Sequence, residues 1–255
     1  MFEHVELKQM NSHIWLMDER HKATGYIVAG KERALVIDTM FGYENVKAIA
    51  ASVTDRPVTV INTHGHGDHI YGNVWFEEAL LEERDREIAE FQTSDPMFRK
   101  ACEQYGVKMP LFRTIRNGDV INLGGLTAEI ISLPGHTPGS VCVLLREDRI
   151  LFTGDAVNRH LWMQLRESLP LREALANLDR IASVKNRADR ILHGHARDFE
   201  DISLFDKLRE GIRQLTEQED TCVTDGDEEY SWFGGKALQH RFDENSVIVY
   251  TRDKL

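Results

Sequence analysis

Between Thr63 and His69 the chain reads T-H-G-H-G-D-H, which places three imidazoles and a carboxylate within six residues. Imidazole nitrogen and carboxylate oxygen suit borderline divalent metals such as zinc, and a catalytic site keeps one coordination position for water. Four donors in one loop are too many for a single ion that must keep that position open. The stretch therefore points to a two-metal site whose remaining ligands come from elsewhere. Three turn-like positions offer them: His136 in P-G-H-T-P-G-S, Asp155 in F-T-G-D and His195 in H-G-H. Gly65 and Gly67 let the backbone turn tightly, so that neighbouring side chains converge. Two ions about 3.5 to 4 Å apart would lower the pKa of a bound water and polarise a substrate oxygen, making a metal-bound hydroxide the nucleophile of a hydrolysis.

Such positions need strands that end close together. Ser12 to Asp18, Gly25 to Ala29 and Arg33 to Asp38 are β-rich runs, with Gly30 to Glu32 as a hairpin turn. Tyr43, Val46, Ile49, Ala50 and Val53 fall at helical spacing, and Pro57 opens the strand Val58 to Asn62 that runs into the histidine loop. The charged stretch from Glu82 to Gly106 predicts short helices, a helical insertion around 82–112 that would serve as a lid. Its acidic run Glu82 to Glu90 reads as a solvated face with internal charge pairs. A meander follows in Asp119 to Asn122, Leu126 to Leu133, Ser140 to Leu145 and Arg149 to Phe152, with turns at Gly124-Gly125 and Glu147-Asp148. Leu171, Leu175, Leu178 and Ala182 form one amphipathic helix, and Phe205, Leu208, Ile212 and Leu215 form another. The strand Arg190 to Leu192 lies between them, and Ser246 to Thr251 closes the chain.

With 255 residues, 42% hydrophobic and 29% charged, one large domain can bury a core and still cover itself with charge. The net charge of -11 makes nucleic acid and anionic membranes poor partners and favours a small-molecule substrate. No apolar run reaches the ~20 residues that span a bilayer. Met1 to Gln9 alternates charged and apolar residues and lacks the basic start and apolar run of a secretory signal, so a cytoplasmic location is expected. Cys102, Cys142 and Cys222 are too scattered for a disulfide framework or a cysteine zinc cluster. Acidic residues cluster at 217–220 and 225–229. The spacing leaves the oligomeric state open.

The H-x-H-x-D-H loop, the P-G-H-T-P-G-S turn, the T-G-D turn and the G-H turn, in that order, resemble the metallo-β-lactamase superfamily, in particular its glyoxalase-II-like branch. The resemblance spans the chain from about Ser12 onward. It implies an α+β fold, a four-layer αββα sandwich of two mixed sheets flanked by helices, with the site at the mouth between the sheets. It further implies two Zn2+ ions (iron or manganese being possible), one held by His64, His66 and His136 and the other by Asp68, His69 and His195, with Asp155 bridging. Asp68 would orient the attacking water, and Asp38 would support the loop through hydrogen bonds. His195 is preferred over His193 because the motif places its ligand directly after glycine. His4, His13, His21, His160 and His240 are read as structural, and Tyr71, Trp162 and Met163 as packing residues.

The implied activity is cleavage of an ester, thioester, lactone or amide in a small molecule. True metallo-β-lactamases of the best-known subclass carry cysteine where Asp155 stands. The basic helical C-terminus of glyoxalase II is replaced here by acidic residues and a strand. An iron-dependent persulfide dioxygenase-like activity and a small-molecule phosphodiesterase are the alternatives on the same scaffold.

Overall fold

The computed structural model describes residues 2–217, 227–232 and 235–255. Cys222 and the acidic residues Glu219, Asp220 and Asp225 lie outside them. The first half of the chain gives β1 (Val5–Gln9), β2 (Ile14–Glu19), β3 (Ala23–Ala29), β4 (Ala34–Ile37), helix α1 (Val46–Val53) and β5 (Val58–Ile61). The short helix α2 (Gly67–Ile70) follows, then β6 (Glu78–Glu82), α3 (Arg86–Thr93), α4 (Pro96–Tyr105) and β7 (Leu111–Ile115). These seven strands pair in chain order into one sheet, antiparallel from β1 to β4 and parallel from β4 to β7. The Asn45 side chain caps α1 by accepting the Ala48 N–H at 3.0 Å, and the helix carries the chain over to β5.

The second half begins with the meander β8 (Val120–Asn122), β9 (Thr127–Ser132), β10 (Val141–Leu145) and β11 (Ile150–Gly154). After β12 (His160–Trp162) and α5 (Leu171–Arg180) come β13 (Arg190–His193), β14 (Glu200–Asp201) and α6 (Ser203–Glu217), then β15 (Glu228–Trp232), β16 (Gly235–Asp243) and β17 (Ser246–Tyr250). A six-stranded sheet runs β14-β13-β11-β10-β9-β8, and a four-stranded sheet runs β12-β17-β16-β15.

Alternation along the strands builds the layers. In β3 and β4, Tyr26, Val28, Leu35 and Ile37 face a core shared with Ile130, Val143, Phe152 and Leu192 of the second sheet. Ile27 and Val36 face the other way, onto Ile49 and Ala50 of α1. The outer face of the second sheet packs Cys142, Leu144 and Ile191 against Leu175 and Leu178 of α5 and Phe205 and Leu208 of α6. The result is the expected α+β sandwich, extended by a third sheet whose Ile248 and Tyr250 join that outer core. The strands β1, β6, β7, β12, β14, β15 and β16 add to those read from the sequence. They are short or largely polar, and pairing with a neighbour decides them where periodicity does not. The helices between β6 and β7 fall within the 82–112 stretch. Among the described residues, no helix is long and apolar enough to cross a membrane.

Candidate metal centre

All seven expected donors stand where strands of the two large sheets end. His64, His66, Asp68 and His69 follow β5, His136 follows β9, Asp155 follows β11 and His195 follows β13. Ligand atoms lie within 4.8 Å of one another in three sets: His64, His66 and His136; His64, His69 and Asp155; and Asp68, His69 and His195. Two glycines make this approach possible. A Cβ on Gly154, itself at φ +50°, would sit 2.1 Å from Thr63 Oγ1, and one on Gly194 would lie 2.5 Å from both Asp155 Oδ1 and His69 Cε1.

Each imidazole turns one nitrogen outward to a fixed partner. His66 Nε2 donates to Glu167 Oε1 at 2.8 Å, His136 Nδ1 to the Trp162 carbonyl at 2.7 Å, His69 Nδ1 to Asp38 Oδ2 at 2.9 Å and His195 Nδ1 to the Lys22 carbonyl at 2.7 Å. Thr63 Oγ1 gives its proton to Asp38 Oδ2, so it accepts from His64 Nδ1 at 3.1 Å. Of the inward nitrogens, His195 Nε2 meets Asp155 Oδ2 at 3.2 Å. His66 Nδ1 and His136 Nε2 face each other at 3.0 Å, lone pair to lone pair. His64 Nε2, His69 Nε2 and Asp155 Oδ1 are buried without a hydrogen-bond partner. Buried polar atoms without partners are costly, and a cluster of bare nitrogens and carboxylate oxygens is the donor set a divalent cation satisfies. The residues fit a metal.

Electrostatics divide the imidazoles into two that stay neutral at pH 7 and two that hold a second proton until a cation displaces it. Burial and the neighbouring His69, His66 and His136 hold His64 well below its ordinary range, and burial together with His66 lowers His136 to about 4. Burial opposes charge at His69 and His195 too, but Asp68, Asp38 and Asp155 lift His69 to about 10, and Asp155 leads in lifting His195 to about 9. Asp155 is half-buried, with Oδ1 enclosed; desolvation raises its carboxyl, yet His195 and His69 keep it far below the usual range.

Asp38 supports the loop as expected: its carboxylate accepts from the Thr63 N–H at 2.8 Å, the Thr63 hydroxyl at 2.7 Å and His69. It does so from a left-handed backbone, φ +59°, which a non-glycine residue holds only where its surroundings over-determine it. His193 lies outside the cluster, with its Nδ1 accepting the His195 N–H at 3.2 Å and its carbonyl the Tyr26 hydroxyl at 2.5 Å. Met163 is core, Trp162 packs against Ala237, Val247 and Val249, and the Tyr71 ring stacks on Phe98.

Two carboxylates escape sequence reading. Asp85 corrects the reading of 82–90 as solvated. Glu82 and Glu83 do pair with Arg84 and Arg86, but Asp85 is fully buried and accepts the Gly65 N–H at 2.8 Å, the Gly139 N–H at 2.6 Å and the Thr137 hydroxyl at 2.7 Å. It ties the histidine loop to the His136 turn. Glu167 orients His66, and Ser168 beside it donates to the His136 carbonyl at 2.8 Å. No spacing in the sequence marks either residue.

Residues 20–195 match the family model described as Metallo-beta-lactamase superfamily. The chain is similar to Acyl-coenzyme A thioesterase MBLAC2 of Bos taurus, 25% identical over 233 residues, covering 78% of this chain and 83% of that protein. It is 32% identical over 136 residues to a hydroxyacylglutathione hydrolase of Hyphomonas neptunium, 52% of this chain and 47% of that enzyme. Among solved structures, a metallo-β-lactamase from Erythrobacter litoralis superposes with a TM-score of 0.65 at 17% identity, covering 84% and 99% of the two chains.

Proposed function

The chain belongs to the metallo-β-lactamase superfamily and is a hydrolase, and from that premise we propose that it cleaves thioesters of small molecules at a dinuclear zinc centre. The observation that carries the reading is the set of bare, inward-facing atoms, His64 Nε2, His69 Nε2 and Asp155 Oδ1 among them. We assign His64, His66 and His136 to one ion, Asp68, His69 and His195 to the other, and Asp155 to both. When bound, the ions supply a water acidified toward neutral pH and polarise the substrate carbonyl.

The chain's own groups do the rest. Asp68, more exposed than Asp155 and 3.6 Å from His69 Nε2, faces the opening, where its carboxylate orients the attacking water and accepts its proton. Oxygen adds to the acyl carbon, the carbon–sulfur bond breaks, and acid and thiol are released. A thiol with a pKa of about 8.5 departs as thiolate without a dedicated acid. That suits a site whose histidines are committed to inward lone pairs and outward hydrogen bonds. The two curated relatives, one named as an acyl-coenzyme A thioesterase and the other as an acylglutathione hydrolase, support the bond type.

Turnover of zinc-loaded protein on thioester, lactone, β-lactam and phosphodiester substrates tests this. Thioesters should lead in kcat/KM by at least about a hundredfold, the discrimination expected when one scissile bond matches the site. A lead for the phosphodiester or β-lactam contradicts it.

A further inference from the structure

Beside the histidine loop lies a groove of about 730 Å³, with Phe41 and Tyr43 on one side, Tyr71 and Trp75 along the floor, and Phe98 and Tyr105 of α4 on the other. We propose that this groove binds the acyl chain of the substrate, a straight apolar chain of medium to long length, which rests on the thioester reading above.

The groove is built rather than incidental. Of the six exposed large apolar side chains among the described residues, three line it: Tyr43 at 51%, Met97 at 79% and Tyr105 at 66%. Apolar surface gathered in one concavity marks a binding site, whereas scattered single residues do not. Both walls are fixed from behind. The buried Glu19 carboxylate accepts the Phe41 N–H at 2.8 Å and the Tyr43 N–H at 2.9 Å. Across the groove, Tyr71 stacks on Phe98 with ring centroids 4.1 Å apart, and its hydroxyl donates to the Gln92 carbonyl at 2.8 Å.

None of the seven donors lines the groove itself; Tyr71 lies between the groove and the histidine loop. Its ring lies so close to Gly67, the residue between His66 and Asp68, that a Cβ there would be 2.6 Å from Tyr71 Cζ. The chemistry of the lining selects the occupant. Neither lysine nor arginine lines the groove, so an anionic carrier finds no counter-charge in it. Its two carboxylates are already engaged: Asp95 caps α4 by accepting the Met97 and Phe98 N–H groups, and Glu44 accepts those of Glu3 and His4. His4 faces Arg20 and Asn45 caps α1, and the rest is mainly aromatic, aliphatic and thioether surface suited to methylenes.

The test measures kcat/KM of zinc-loaded protein on straight-chain thioesters from acetyl to dodecanoyl. A rise of at least tenfold with chain length is expected, since each buried methylene adds to binding. Met97→Asp and Ala101→Trp, both at exposed positions of α4, should lower the dodecanoyl value at least tenfold and leave the acetyl value unchanged. A second readout needs no turnover: dodecanoate should protect Cys102, which lines the groove, from iodoacetamide as read by peptide mass. Acetyl hydrolysis with a flat chain-length profile and an unprotected Cys102 overturns the groove while leaving the hydrolase reading standing. Protection of Cys102 with no thioester turned over retains the groove as an apolar-chain site and overturns the thioester reading.

Discussion

His66 shows how a ligand atom is selected. Glu167 accepts a hydrogen bond from the Nε2–H, leaving the Nδ1 lone pair beside His136 Nε2, so one partly exposed carboxylate fixes both tautomer and ring orientation. Glu167→Ala should weaken zinc binding about 10- to 100-fold in competition with a chelator while the fold is kept, and Glu167→Gln should recover part of the loss through its amide oxygen. Unchanged affinity in the alanine variant would remove that role. Protons compete for the same nitrogens. His69 and His195, lifted to about 10 and about 9 in the metal-free protein, carry protons at pH 7 that a cation must displace. Zinc affinity should therefore rise steeply from pH 6 to pH 8, with protons released on binding, as calorimetry in buffers of different ionisation enthalpy would show. A flat profile would mean that these imidazoles are not displaced by metal. The seven side chains that converge at the strand ends were legible in the sequence because all but His69 stand directly beside glycine and their motifs follow strand-like runs. Glu167 was not, since a glutamate between Arg166 and Ser168 has the look of any solvated loop residue.

Among the elements, the histidine loop and the His136 turn belong to different sheets, and Asp85, at the start of α3, joins them. Its loss would strand the Gly65 and Gly139 N–H groups and the Thr137 hydroxyl in a buried site, at about 1 to 3 kcal/mol for each orphaned group. Asp85→Ala should accordingly lose at least about 3 kcal/mol in urea unfolding of the metal-free protein. A loss below about 1 kcal/mol would mean that the network relaxes at little cost. This link was invisible at the sequence level: Asp85 sits in E-E-R-D-R-E, where charge alternation signals solvent, and only the packing of α3 beneath the loop buries it. The same limit hid β6, whose E-A-L-L-E is too short and too charged to read as a strand until Leu80 pairs with Ile61. Where alternation or helical spacing was strong, as in β3, β4, β9, β10, α5 and α6, sequence and structure agree closely. The third sheet was announced only by its last strand, because β15 and β16 are largely polar and settle against β17 through tertiary contacts.

Across the whole molecule, two sheets close on a shared core, and their strand ends deliver donors from residues 64 to 195 to one mouth. That convergence gives the chain the divalent metal site expected of its superfamily. The pair of zinc ions is the further claim on which the proposed chemistry depends. Elemental analysis of the purified protein, paired with thioester turnover in the wild type and in Asp155→Ala, tests it most directly. Two zinc ions per chain are expected, with metal and turnover lost together in the variant. One iron per chain with oxygen consumed on a persulfide substrate, or full turnover in Asp155→Ala, would contradict it.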